Sequence, residues 1–207
     1  MVCYQKIKLR ENTMQDKAMS METRIINAAI DCIEEHGMEG ATTRVIAEKA
    51  GVNSAAINYY FRSKDRLMEQ VIATALKNAF DWEDFKSSED MNAPERIVDI
   101  LDQLTEGALK YQRIVRALFY ETYARGNYDT APIVSMRAFF TELIDDLLER
   151  DPSLERDSLR NAMVQILSAV LLPGMLLPGL LEGIGTLDLA DKDDRRAYIQ
   201  QVVSKLL

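Results

Sequence analysis

An all-α fold is expected for this chain, on three observations. Apolar residues recur at three-to-four spacing through most of its length. No segment alternates with strand period between hairpin turns. The interruptions fall at helix-ending residues such as Gly51, Gly126-Asn127 and Asp151-Pro152. The chain has 207 residues, 47% hydrophobic and 28% charged, with 9 Gly and 5 Pro, which excludes collagen-like and disordered classes and allows a substantial core. That length suits one large domain or two small ones.

Residues 1–19 are polar and without sustained periodicity, so a mobile arm is expected, or partly sequence upstream of a later start codon at Met14 or Met19. From about Ser20 a helix is expected, with Ile25, Ile26, Ala29, Ile30 and Ile33 on one stripe and Gly37 ending it in a left-handed conformation. Thr42-Thr43 opens a short helix that carries Val45, Ile46 and Ala50 and stops at Gly51. Asn53 caps another, through about Phe61, in which Ile57 and Phe61 share the inward face. Ser63 caps a fourth, to about Trp82, with Leu67, Met68, Val71, Ile72, Ala75, Leu76 and Ala79 inward. A polar break follows over 81–92. Helices are then expected from Pro94 to about Leu109, over 111–124, over 131–149 with Pro132 in its first turn, from about Leu154 into the apolar stretch 166–181, and over 192–206.

Charge is uneven along the chain. Residues 1–70 are balanced, and residues 71–207 carry the whole net charge of −8. Residues 44–66 hold five cations against two anions, a local net of +3 that suits a polyanion-binding head on an acidic body. Within that segment two short helices joined at Gly51-Val52-Asn53 have the form of a helix-turn-helix. A second helix that enters a major groove about 12 Å wide must present small or hydrogen-bonding side chains. Ser54, Ala55, Asn58 and Tyr59 meet that need. Ala55 permits close approach, Asn58 can pair with adenine, and Tyr59 and Tyr60 offer hydroxyls to phosphates. Thr43 and Lys64 sit at helix starts where phosphate is favoured, and Arg44 and the cap Asn53 complete the expected DNA-contact set. A helical hairpin whose polar side merely faces water is the other reading of the same periodicity.

The ordered set Thr23-Arg24, Ile26, Ala28-Ala29, Gly37, Thr42-Thr43, Ile46-Ala47, Ala50-Gly51-Val52, Ile57, Tyr59-Tyr60-Phe61, Ser63-Lys64 and Leu67 resembles the N-terminal domain of TetR-type transcriptional regulators. The resemblance covers roughly residues 20–68. Asn58 departs from the tyrosine common in that family and Asn53 from the common serine cap, which places the base preference at Asn58 in question. The resemblance implies an all-α homodimer. Its organisation would be an arm at 1–19, a three-helix DNA-binding head at 20–66, and an effector-binding and dimerisation body at 67–207. It also implies a double-stranded palindromic operator as partner, a small effector, and most often repression.

In the body, Trp82, Tyr111, Phe119, Tyr120, Tyr123, Phe139 and Met163 are the candidates to line a pocket for an apolar or aromatic effector, with plain core as the alternative for each. The dimer is expected through helices at about 155–181 and 192–206. Residues 161–181 lack charge, but Pro173, Gly174, Pro178 and Gly179 within them, and the absence of basic flanks, argue for a buried helix over a membrane span. Asp145-Asp146 and the run 191–194 are expected on solvated faces. One histidine, His36, two cysteines without ligand spacing, Cys3 and Cys32, and no glycine-rich phosphate loop give no metal, cofactor or catalytic set. An enzyme is therefore not expected, nor is a secretory leader, and a reducing, cytoplasmic setting is. An adaptor whose helix-turn-helix binds protein is the rival class.

Overall fold

The computed structural model of the chain describes residues 20–85, 91–173 and 187–207. Among the described residues the regular elements are helical: α1 (Met21–Gly40), α2 (Thr43–Ala50), α3 (Ser54–Phe61), α4 (Lys64–Phe80), α5 (Trp82–Phe85), α6 (Ala93–Lys110), α7 (Gln112–Arg125), α8 (Ala131–Arg150), α9 (Arg156–Leu171) and α10 (Lys192–Leu206). The expected arm at 1–19 and the apolar stretch beyond Pro173 lie outside the described residues. The chain divides into two compact units, one of Met1–Ala79 with Tyr111–Asn127 and the other of Phe80–Lys110 with Tyr128–Leu207.

In the first unit α1 is the central strut. Ser20 caps it, its Oγ accepting from the Thr23 amide at 3.1 Å. Ile25, Ile26, Ala29, Ile30 and Ile33 are buried along one stripe, and α2 and α7 pack against the helix. Cys32 is fully buried as a small core residue, and burial pushes its thiol pKa up. Gly37 takes a positive φ of 75°, but its ψ of 172° is extended rather than left-handed helical. It therefore kinks the helix and does not end it, and another turn runs on to Gly40. On α4, Leu67, Met68, Val71 and Leu76 are buried, while Ile72, Ala75 and Ala79 are half-buried.

In the second unit α6 carries the densest apolar face, with Ile97, Ile100, Leu101 and Leu104 buried and α8, α9 and α10 packed on it. Phe139 is the hub of an aromatic cluster, its ring centroid 5.7 Å from Phe80, 5.4 Å from Trp82, 5.1 Å from Phe85 and 5.4 Å from Phe140. This corrects two expectations. The fourth helix ends at Phe80, short of Trp82, and the polar break contains α5, whose Phe85 is buried. The apolar demand of Phe139 overrides the polar local sequence.

Two buried arginines brace this unit. Arg195 of α10 donates from Nε to Asp102 of α6 at 2.7 Å and from Nη1 to the Leu189 carbonyl at 3.1 Å. Arg96 donates from Nε to Asp146 at 3.2 Å and from Nη1 to the Phe85 carbonyl, and its guanidinium lies 5.3 Å from the Trp82 ring centre. Arg150 binds Asp146 through Nε at 2.9 Å and Nη2 at 3.1 Å. Asp146 is therefore a shared acceptor and not the solvated residue expected from the Asp145-Asp146 pair. Burial pushes its carboxyl pKa up, but hydrogen bonds from Arg150 and Arg96 outweigh that and hold it below its ordinary 3.8.

Because the folded Asp146 has a lowered pKa, its stabilising effect is present above that ordinary value and is lost as pH falls through the folded one. The stability gap between wild type and Asp146→Asn should accordingly be steady from about pH 5 to 7 and shrink below about pH 4. A gap of equal size at pH 3 in urea titrations counts against this role. Removing Asp102 strands the buried Arg195 charge, so Asp102→Ala should cost about 3–5 kcal/mol in chemical denaturation. A loss of about 1 kcal/mol or less indicates that Arg195 finds another partner or reaches water.

Candidate nucleic-acid interface

The sequence between Thr42 and Lys64 builds two short helices, and the start of α4, by capping at each junction. Thr42 caps α2, its side chain accepting from the Val45 amide at 3.3 Å. Gly51 ends α2 in the left-handed region, with φ 66° and ψ 35°, where its amide reaches the Ala47 and Glu48 carbonyls. Asn53 then caps α3, Oδ1 accepting from the Ala56 amide at 2.9 Å. The turn is pinned from α1 by Arg24, whose Nη2 donates to the Ala50 carbonyl at 2.8 Å.

Within α3, Ile57 and Phe61 are buried at 0% and 5% exposure and anchor one side. The opposite edge is open: Ser54, Ala55 and Asn58 are exposed, Tyr59 is 80% exposed and Tyr60 43%. The two tyrosine rings meet edge to face at 5.2 Å, which limits the rotamers of both. This edge holds amide and hydroxyl groups for hydrogen bonding and a small Ala55 for close approach, the chemistry needed to meet base edges and phosphates.

Arg62 leaves α3 with φ 65° and ψ −35°, the one non-glycine residue with positive φ among the described residues. The Ser63 amide donates to the Phe61 carbonyl at 2.8 Å across it, a tight γ-type turn that is strained for an L side chain. Ser63 then caps α4, its Oγ accepting from the Arg66 amide at 3.2 Å. Arg62 is exposed beside the open edge and was not among the expected contacts. A positive φ at a non-glycine residue leaves no mark in sequence.

The expected contacts divide by what each side chain already does. Arg44, Ser54, Ala55, Asn58, Tyr59 and Tyr60 are exposed, and Thr43 is half-buried at the start of α2. Asn53 is exposed, but its carbonyl oxygen is committed to the cap. Lys64 is half-buried, with Nζ 3.3 Å from the Met38 carbonyl, so its charge also fastens the end of α1. Lys49 bonds Glu35, and that hydrogen bond holds the Glu35 carboxyl below the usual range.

The expected effector-lining residues are not gathered by either unit. Tyr111, Phe119, Tyr120 and Tyr123 belong to the first, where Tyr120 and Tyr123 are exposed and Phe119 is buried. Trp82, Phe139 and Met163 belong to the second, with Phe139 and Met163 in the core. A recess of about 320 Å³ in that unit has a charged wall, lined by Trp82, Arg96, Glu142, Asp145, Asp146, Glu149 and Arg150, and shares only Trp82 with the expected lining. Among the described residues no helix is long and apolar enough to cross a membrane, and no group of three or more His, Cys, Asp or Glu is placed to hold a metal.

Two short helices about a left-handed glycine turn, the second anchored on one side and open on the other, define a helix-turn-helix of DNA-binding type. Residues 25–71 match the model of the bacterial regulatory proteins, tetR family. The chain is 38% identical over 52 residues to the tetracycline repressor protein class A from transposon 1721 of Escherichia coli, covering 25% of this chain and 24% of that one. It is 44% identical over 46 residues to the HTH-type transcriptional regulator BetI of Klebsiella pneumoniae, 22% of this chain and 24% of that one. These matches span about a quarter of the relatives' length. A solved structure of the TetR family from Mesorhizobium loti superposes with TM-score 0.60 at 14% identity, covering 95% of this chain and 98% of that one, which shows a shared fold. Residues 25–71 thus carry a helix-turn-helix domain similar to that of the tetR-family regulatory proteins, and the rest of the chain shares their all-helical fold.

Replacing Arg62 by glycine should relieve the strained φ and stabilise the protein by about 1 kcal/mol, a rise of a few degrees in thermal midpoint. A lower midpoint for Arg62→Gly shows that the arginine side chain contributes more than its backbone costs.

Proposed function

We propose that this chain is a cytoplasmic, ligand-responsive transcriptional repressor that binds a palindromic DNA operator as a homodimer. The observation that carries the proposal is the edge of α3: Ile57 and Phe61 are sunk in the core while Asn58 and Tyr59 stand in solvent. In this reading Ala55 and Asn58 face bases, with Asn58 suited to the adenine edge. Thr43, Arg44, Tyr59, Tyr60 and Lys64 face phosphates, with Ser54 and the cap Asn53 at the helix start.

The head is taken as 20–66 and the body as 67–207. A twofold partner is needed because a single eight-residue recognition helix covers too few base pairs for specificity. Helices α9 and α10 are the proposed dimer elements. Val164 in the middle of α9 and Leu172 at its C-cap leave apolar surface exposed in the single chain, which supports that assignment. An effector in the body acts by population shift, lowering operator affinity to the extent that it prefers states whose recognition helices do not fit adjacent grooves. Its apolar or aromatic class rests on the aromatic side chains of the body, and the charged recess beside Trp82 does not add to it.

Duplexes enriched by selection from a random pool should be palindromic. On such a duplex, Tyr59→Ala should bind about tenfold or more weakly in mobility-shift titrations with its melting unchanged. Equal affinity for wild type and variant removes Tyr59 from the contact set. Lys64→Ala should weaken all sequences alike and reduce the slope of log affinity against log salt by about 1. Failure to enrich any duplex favours the adaptor class.

A further inference from the structure

Helix α7 begins without a cap of its own. Tyr111 stands at its N-cap position with φ −114° and ψ 48°, and its side chain does not cap the helix. The acceptor comes instead from α1, some eighty residues earlier in the chain. Glu34 Oε1 accepts from the Ile114 amide at 2.7 Å and Oε2 from the Arg113 amide at 3.2 Å. A carboxylate that takes two amides at a helix N-terminus satisfies two orphan donors and meets the positive end of the helix dipole. The next residue, Glu35, turns the other way and bonds Lys49 at the end of α2. Adjacent carboxylates on one turn of α1 thus hold α7 on one side and the helix-turn-helix on the other. Further along α1, Arg24 holds the Ala50 carbonyl where α2 gives way to the turn.

Helix α7 is also the segment of the chain's later part that joins the unit containing α3, and at both ends it runs covalently into the other unit, at Lys110 and at Tyr128. A displacement of the second unit therefore pulls on α7, and the first α7 amides it can draw away from α1 are those held by Glu34. We propose that Glu34 is a positioning residue that ties the N-terminal turn of α7 to the packing of the helix-turn-helix, making α1 a route of control. Its regulatory meaning rests on the repressor reading above, but the coupling does not, and it is measurable without DNA.

The test is amide hydrogen exchange by mass spectrometry on the full chain, comparing wild type with Glu34→Ala, Glu34→Gln and the control Glu39→Ala on the same helix. Losing the cap should raise exchange over residues 111–117 about fivefold in Glu34→Ala. If Glu34 couples, exchange over 43–62 rises with it, while 97–104 in the other unit stays unchanged. Glu34→Gln keeps an acceptor oxygen in place, so it should restore both segments in part and together. Glu39→Ala should leave both as in wild type. A rise confined to 111–117, no rise in either segment, an equal rise in 97–104 or no rescue by glutamine overturns the proposal. If Glu34→Ala does not fold, Glu34→Gln carries the test: 111–117 and 43–62 must rise together against wild type. Failure here leaves DNA binding untouched, since that is judged separately on Tyr59→Ala.

Discussion

A helix of eight residues does not hold its shape in water, because nucleation costs more than so few backbone hydrogen bonds return. The recognition element α3 is such a helix. Its pitch and its outward edge exist only because Ile57 and Phe61 are locked into the core and because Asn53 and the Arg62 turn close its two ends. Every other feature of the first unit serves that constraint. Gly51 sets the angle at which α3 leaves α2, and Arg24 clamps the carbonyl just before the turn. Ser63 and Lys64 begin α4 at once, so that the chain cannot unwind past Phe61.

The same side-chain types play opposite parts in the two units. Exposed tyrosines on α3 are free to meet a partner, whereas the aromatic rings around Phe139 close on one another and on Arg96. Cations near the turn face solvent or bridge a helix end. In the second unit Arg96 and Arg195 are buried with carboxylates and carbonyls as partners, because an uncompensated buried charge would unfold it. The local excess of positive charge at 44–66 therefore stays at the surface beside the helix-turn-helix, and the buried arginines bear on the rigidity of the second unit.

The division of the chain also explains why a head-and-body description drawn along the sequence is incomplete. Helix α7 lies late in the chain yet belongs to the unit that presents α3. The Glu34 cap gives that placement a physical cause: the first amides of α7 need an acceptor, and the Tyr111 side chain does not cap them.

Most of the helices were legible in the sequence, because capping and periodicity are local. Thr42, Asn53 and Ser63 cap the helices they precede, and Gly51 and Gly126 close theirs in the left-handed region. The inward Ile57 and Phe61 and the open Asn58 and Tyr59 follow from a period of 3.6 residues. What depended on distant partners could be decided only by the tertiary structure. Asp146 becomes a half-buried shared acceptor because Arg96 and Arg150 converge on it, and Phe85 is drawn into α5 by Phe139. The proposed aromatic lining is divided between two units because no local pattern records which stripes will face each other. Glu34 reaches α7 across eighty residues, a distance over which sequence spacing carries no information and only packing does.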